Sequence, residues 1–148
     1  MESLFKGIYS KFDNCVALKT LVTSRLYLNE APQGVAFPYI VYTLLSGTTD
    51  WELCPTTVAG VRYGDFNLED IMVQFDIFSN DARSPLEVSS IYDQLWVCFD
   101  WKLLDLTLGT VDYTNLYMRR EFYNLTRNID EKWWQYTVQY RILMNEVT

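Results

Sequence analysis

A chain of 148 residues with 49% hydrophobic and 21% charged content has the length of one domain, 1–148, and enough apolar side chains to bury a core without staples. Its 19 acidic against 12 basic residues, a net charge of −7, exclude a protein that grips nucleic-acid phosphates through a Lys/Arg surplus. It contains no histidine, which removes the commonest general base and the commonest metal ligand.

Residues 3–20 read as a helix. Phe5, Ile8, Tyr9, Phe12, Cys15 and Val16 follow the i, i+3, i+4, i+7 spacing of one apolar stripe, with Ser3 as N-cap and Asp13-Asn14 as a possible break. Arg25-Leu26-Tyr27-Leu28 is a short strand candidate, and Ala31-Pro32-Gln33-Gly34 carries turn residues. Residues 39–46 are β-branched or aromatic on both faces, so they predict a strand covered on both sides. Residues 47–67, with Gly47, Pro55, Gly60 and Gly64, read as a long irregular loop, of the kind that is functional or ordered by a partner.

Residues 68–78 alternate, with Ile71, Val73, Phe75 and Ile77 on one face. Ser84-Pro85 opens a second helix, with Ser84 at N-cap, Pro85 at N1 and Glu87 at N3. Its core stripe is Val88, Ile91, Tyr92, Leu95, Cys98 and Phe99. The last third predicts a long hairpin, 113–126 against 132–144. In its final strand Trp134, Tyr136, Val138, Tyr140, Ile142 and Met144 share a buried face, and Trp133, Gln135, Thr137, Gln139 and Arg141 a wet one. The fold class that follows is α+β: two helices packed on one face of a mainly antiparallel sheet, with the polar face outward.

Little in the chain is arranged for chemistry. Cys15, Cys54 and Cys98 are far apart and form no CxxC pair, so they predict reduced thiols from cytosolic synthesis. Cys15 and Cys98 lie on core stripes and read as small apolar residues. Cys54, beside Pro55, is the one exposed candidate nucleophile, and it lacks an activating neighbour. The acidic groups at Asp65, Glu69, Asp70 and at Asp130, Glu131 lack calcium-loop spacing and read as solvated turns. Gly60 and Gly64 are too sparse for a phosphate loop. The reading is therefore no enzyme, with no catalytic residue, no metal and no cofactor. No basic run precedes an apolar stretch near Met1 and the longest apolar run, 35–45, contains Pro38, so neither a secretory signal nor a membrane span is expected.

Two features point to assembly instead. Five Trp, eleven Tyr and eight Phe exceed what a core of this size needs, and Tyr and Trp are favoured in protein–protein contacts. Trp51, Leu53, Pro55, Val58 and Val61 also put much apolar surface into the 47–67 segment, surface that a neighbouring subunit would cover. These five, with Arg120 and Trp133 of the closing hairpin, are the candidate interface residues. Arg120 falls among apolar positions of its strand, which suggests a salt bridge within or between subunits.

One run also resembles a known family. Arg25-Leu26-Tyr27, then Ala31-Pro32-Gln33-Gly34-Val35-Ala36-Phe37-Pro38-Tyr39, is followed by the Gln-bearing strand Val73-Gln74-Phe75-Asp76-Ile77-Phe78, a helix and a closing hairpin. In order and spacing this is similar to the tail-completion, or tail terminator, proteins of long-tailed siphophages, also called tail-to-head joining proteins. The resemblance covers nearly the whole chain; its Trp and Tyr content and its longer central segment depart from the pattern. It implies a hexameric ring capping the tail tube, with a neck connector on the head side and the tube protein on the tail side. Double-stranded DNA would pass through the lumen, and the protein would be made in the bacterial cytoplasm and end in the virion. It implies neither catalysis nor a cofactor. Other readings are a different virion part, such as a head-completion or tail-tube subunit; a soluble binding module unrelated to phage; and an enzyme working with carboxylates alone.

Overall fold

A computed structural model describes residues 1–50, 56–58, 61–63 and 68–146, with side chains for 1–48 and 68–146. The elements are α1 (Glu2–Asn14), α2 (Val16–Leu21), β1 (Leu26–Leu28), β2 (Tyr39–Asp50), β3 (Thr56–Val58), β4 (Val61–Tyr63), β5 (Leu68–Ser79), α3 (Leu86–Phe99), β6 (Tyr113–Asn128) and β7 (Trp133–Glu146). Five strands form one sheet in the order β1-β2-β5-β7-β6, and β3 pairs with β4. All pairs are antiparallel except β1 with β2.

The class is the α+β fold that the patterning predicts, because the period-2 strands have one greasy face each. Ile71, Val73, Phe75 and Ile77 of β5 and Val138, Tyr140, Ile142 and Met144 of β7 are all fully buried. Against this face pack Leu4, Ile8 and Phe12 of α1, Leu18 of α2, and Val88, Ile91, Leu95 and Phe99 of α3. The α3 stripe is the predicted one. Its start lies one residue on, and the Ser84 hydroxyl accepts the Leu86 N–H at 3.1 Å.

Three expectations change. The break expected at Asp13-Asn14 falls at Cys15, between α1 and α2; Ile8 and Phe12 of the predicted stripe are buried and Phe5 and Cys15 pack against the core, but Leu4 joins them while Tyr9 and Val16 are exposed. Leu4 and Tyr9 both keep helical spacing to Phe12, and the sheet chooses between them. Ser3 is no cap: it is buried, and its hydroxyl donates to the Val111 carbonyl. Gly7 explains the close fit on that side, since a Cβ there would lie 2.6 Å from the Asp105 carbonyl oxygen.

The segment 47–67 is less irregular than its glycine and proline content suggests. Gly47–Asp50 continue β2, paired with β5 from Ile71 to Leu68, and Thr56–Val58 pair with Val61–Tyr63 as a small antiparallel ladder. Pairing with a long partner strand overrides weak local propensity.

The expectation of unpaired thiols is overturned for two of the three cysteines. Cys15 and Cys98 are joined by a disulfide across 83 residues of sequence, with their Cα atoms 6.1 Å apart. The break between α1 and α2 turns Cys15 toward the last turn of α3, where Cys98 is buried. Cys54 lies outside the described residues.

Candidate interaction surfaces

The two faces of the sheet differ in chemistry. On the face away from the helices, β5 and β7 set Gln74 beside Gln139 and Asp76 beside Thr137. Asp76 is almost fully buried there, and its carboxylate accepts bonds from Gln74 Nε2 at 2.7 Å, Gln135 Nε2 at 2.9 Å and Thr137 Oγ1 at 2.6 Å. With three donors on it, the Asp76 carboxylate is a hydrogen-bond acceptor that ties β5 to β7. It forms the floor of an open cleft of about 520 Å³ walled by Glu30, Pro32, Phe37, Tyr39 and Val41.

Further along this face the Arg141 guanidinium grips both oxygens of Asp70, from Nε at 2.8 and 2.9 Å and from a second nitrogen. Arg119 Nε donates to Glu121 Oε1 at 2.8 Å. Arg119 and Arg141 are cross-strand partners, so each needs its carboxylate to offset like-charge repulsion. Asp70 is therefore a strand residue in an ion pair, not a solvated turn.

The Arg141 hydrogen bonds hold the Asp70 carboxyl below its ordinary value. Glu2, bonded first to Lys6 and then to Thr110, is lowered from 4.5 to about 2. A carboxylate depressed in the folded state stabilises the fold at pH above its unfolded value, and that contribution is lost as pH falls through the folded value. The melting temperature is thus expected to hold from neutral pH down to the ordinary carboxylate range near 4.5, then fall steadily toward pH 2. A melting temperature flat down to pH 2 contradicts these pairs. The effect is small per group, because both carboxylates are solvent-accessible.

On the helix side, Arg120 forms no ion pair within the chain with a carboxylate among the described residues. Its backbone N–H donates to Asp100 Oδ1 at 3.0 Å, and its guanidinium donates to the Tyr92 hydroxyl. The same guanidinium lies 4.9–5.8 Å from the ring centroids of Tyr123, Trp96 and Tyr92. Cation–π contact takes the place of an acidic partner. Tyr92 stacks on Tyr136 at 4.0 Å, and Tyr123 lies 5.9 Å away. Trp96 is 44% exposed and Tyr123 56%, so the arginine sits under an aromatic patch open to solvent. Beneath it the Tyr140 hydroxyl is buried with no hydrogen-bond partner among the described residues, and desolvation pushes its pKa up.

Of the candidate interface residues, Arg120 is thus half-buried in this patch. Trp133 is half-buried on the opposite face, its ring edge against Phe78 at 5.3 Å and its indole N–H donating to Glu131 at 2.7 Å. Trp51, Leu53 and Pro55 lie outside the described residues. Val58 and Val61 are paired in the β3–β4 ladder, their side chains outside the description. The structure does not bring Arg120 and Trp133 together.

A second apolar surface lies at the other side of the sheet. Phe5 and Tyr9 of α1, with Tyr42 of β2 and Leu108, line an open groove of about 650 Å³. Sequence reasoning missed it because it assigned Phe5 and Tyr9 to the core. Among the described residues no group of three or more His, Cys, Asp or Glu converges as a metal site would require, and no helix is long and apolar enough to cross a membrane.

No family model and no curated protein matches the sequence. Solved structures do share its shape. One is a chain of a particle described as the virion of a native gene transfer agent, with a TM-score of 0.65 and 11% identity over 95% of this chain and 92% of that one. At that identity the likeness is one of fold.

Proposed function

We propose that this chain is a structural protein of a virion, in a long-tailed phage or a phage-like particle. Six copies form a ring that ends the tail tube and joins it to the neck connector, with DNA passing through the lumen. The observation that carries the reading is the likeness to a chain of a virion particle over nearly the full length of both chains. The sequence resemblance to tail terminators supports the finer assignment. So does the excess of exposed aromatic surface, which a ring would cover. A net charge of −7 suits a wall past which DNA slides without sticking. No step of this function asks the chain to make or break a bond.

Deleting the gene from the genome that encodes the chain tests the reading. A cap halts polymerisation of the tube, so its loss is expected to leave filled heads beside unattached tails of irregular, excessive length. Heads that lose their DNA would indicate a head-completion part, and particles with no tail a tube subunit. Normal infectious particles would contradict a virion role.

A further inference from the structure

We infer that copies of this chain join edge to edge, the free edge of β6 adding to the free edge of β2 in the next copy to continue the sheet. The inference rests on the ring reading, because a head-to-tail contact of this kind closes only by rotation.

The two edges lie at opposite ends of one sheet; among the described residues no strand pairs with the outer edge of β6 or, beyond Tyr42, with the outer edge of β2, and the 100–106 segment hydrogen-bonds the outer backbone of β6 only between Tyr113 and Arg120. Beyond its second bulge β6 runs from Phe122 to Asn128 in unbroken register with β7, which leaves a straight row of outer backbone groups. Such an edge is a template for another strand.

The side chains beside the two edges match. On the helix side of β6, Tyr123 and Leu125 stand out, 56% and 36% exposed. On the helix side of β2 lies the groove of Phe5, Tyr9 and Tyr42. Continuing the sheet keeps the helix faces on one side, so the ridge of one copy meets the groove of the next. Charge selects a second copy as the occupant. Residues 122–128, the straight free part of β6, carry Arg127 and no Asp or Glu, within a chain of −7. Residues 43–50, the uncovered part of β2, carry Asp50 and no Lys or Arg. Opposite charges steer the edges together and disfavour pairing like edge with like.

The test uses two variants of the full chain, Tyr123→Asp for the ridge and Tyr9→Asp for the groove. Both positions are more than half exposed, so both variants are expected to fold, Tyr123→Asp with at most a small drop in melting temperature from its lost contact with Arg120. In sedimentation, the unaltered chain is expected to associate with rising concentration. Each variant alone is expected to lose that association by about 30-fold or more. A one-to-one mixture should form a heterodimer that grows no further, since one intact ridge still meets one intact groove. A chain that stays monomeric at millimolar concentration, variants that still associate, or a mixture that stays monomeric would each overturn the edge-to-edge joint. Such results leave the virion reading standing. Conversely, normal particles from the deletion strain would remove that reading without bearing on how the isolated chain associates.

Discussion

Phe75→Ala is expected to lower the unfolding free energy by about 3–5 kcal/mol, a large part of the roughly 5–15 kcal/mol available to a domain of this kind. Phe75 is fully buried in β5, the central strand. It packs between Tyr42 at 6.0 Å, Phe99 of α3 at 5.1 Å and Tyr140 of β7 at 5.9 Å, so its removal opens a cavity where sheet and helix meet. Phe122→Ala on the edge strand removes the same atoms from a side chain that is 48% exposed, and should cost about 0.5 kcal/mol or less. Urea titration of the two variants separates aromatics that hold the fold from those held out to solvent. A loss below about 1 kcal/mol at Phe75 would contradict the packing described.

Opening the Cys15–Cys98 disulfide is the second large change. Its closure removes freedom from an unfolded chain across 83 residues, worth up to about 4.5 kcal/mol in the chain-entropy account, with about 2–4 kcal/mol typical. Replacing both cysteines by serine, or adding a reductant, should therefore lower the urea midpoint substantially without changing the fold. Intact mass after alkylation checks the bond itself. Unfolded without reductant, the air-oxidised protein should take up one alkyl group, and after reduction three, since the chain has three cysteines. Three groups without reductant would contradict the bond. A chain held in a reducing cytosol carries the pair as thiols, so the added stability comes after release from the cell.

Much of this fold is legible in the residue order. The alternation of Ile71, Val73, Phe75 and Ile77, the helical stripe from Val88 to Phe99, and the alternation that closes the chain each have a single period and one apolar face. Legibility fails where two choices satisfy the same local rule. Leu4 and Tyr9 both keep helical spacing to Phe12, and only the sheet decides which is buried. Gly47 to Asp50 look like loop until β5 offers them a partner. The disulfide and the aromatic surroundings of Arg120 join positions far apart in sequence, so no local pattern announces them. The two apolar surfaces are legible only as an excess of aromatic residues. Their placement at opposite sheet edges belongs to the topology.

A three-dimensional reconstruction of the particle produced by the encoding genome tests the central claim most directly. The account predicts a six-fold ring of this fold at the head-proximal end of the tail tube, each copy touching its neighbours through surface that is exposed in the isolated chain. Density for this fold elsewhere in the particle would contradict the tail-end assignment. Particles that hold no copy of the chain would contradict its role as a virion component.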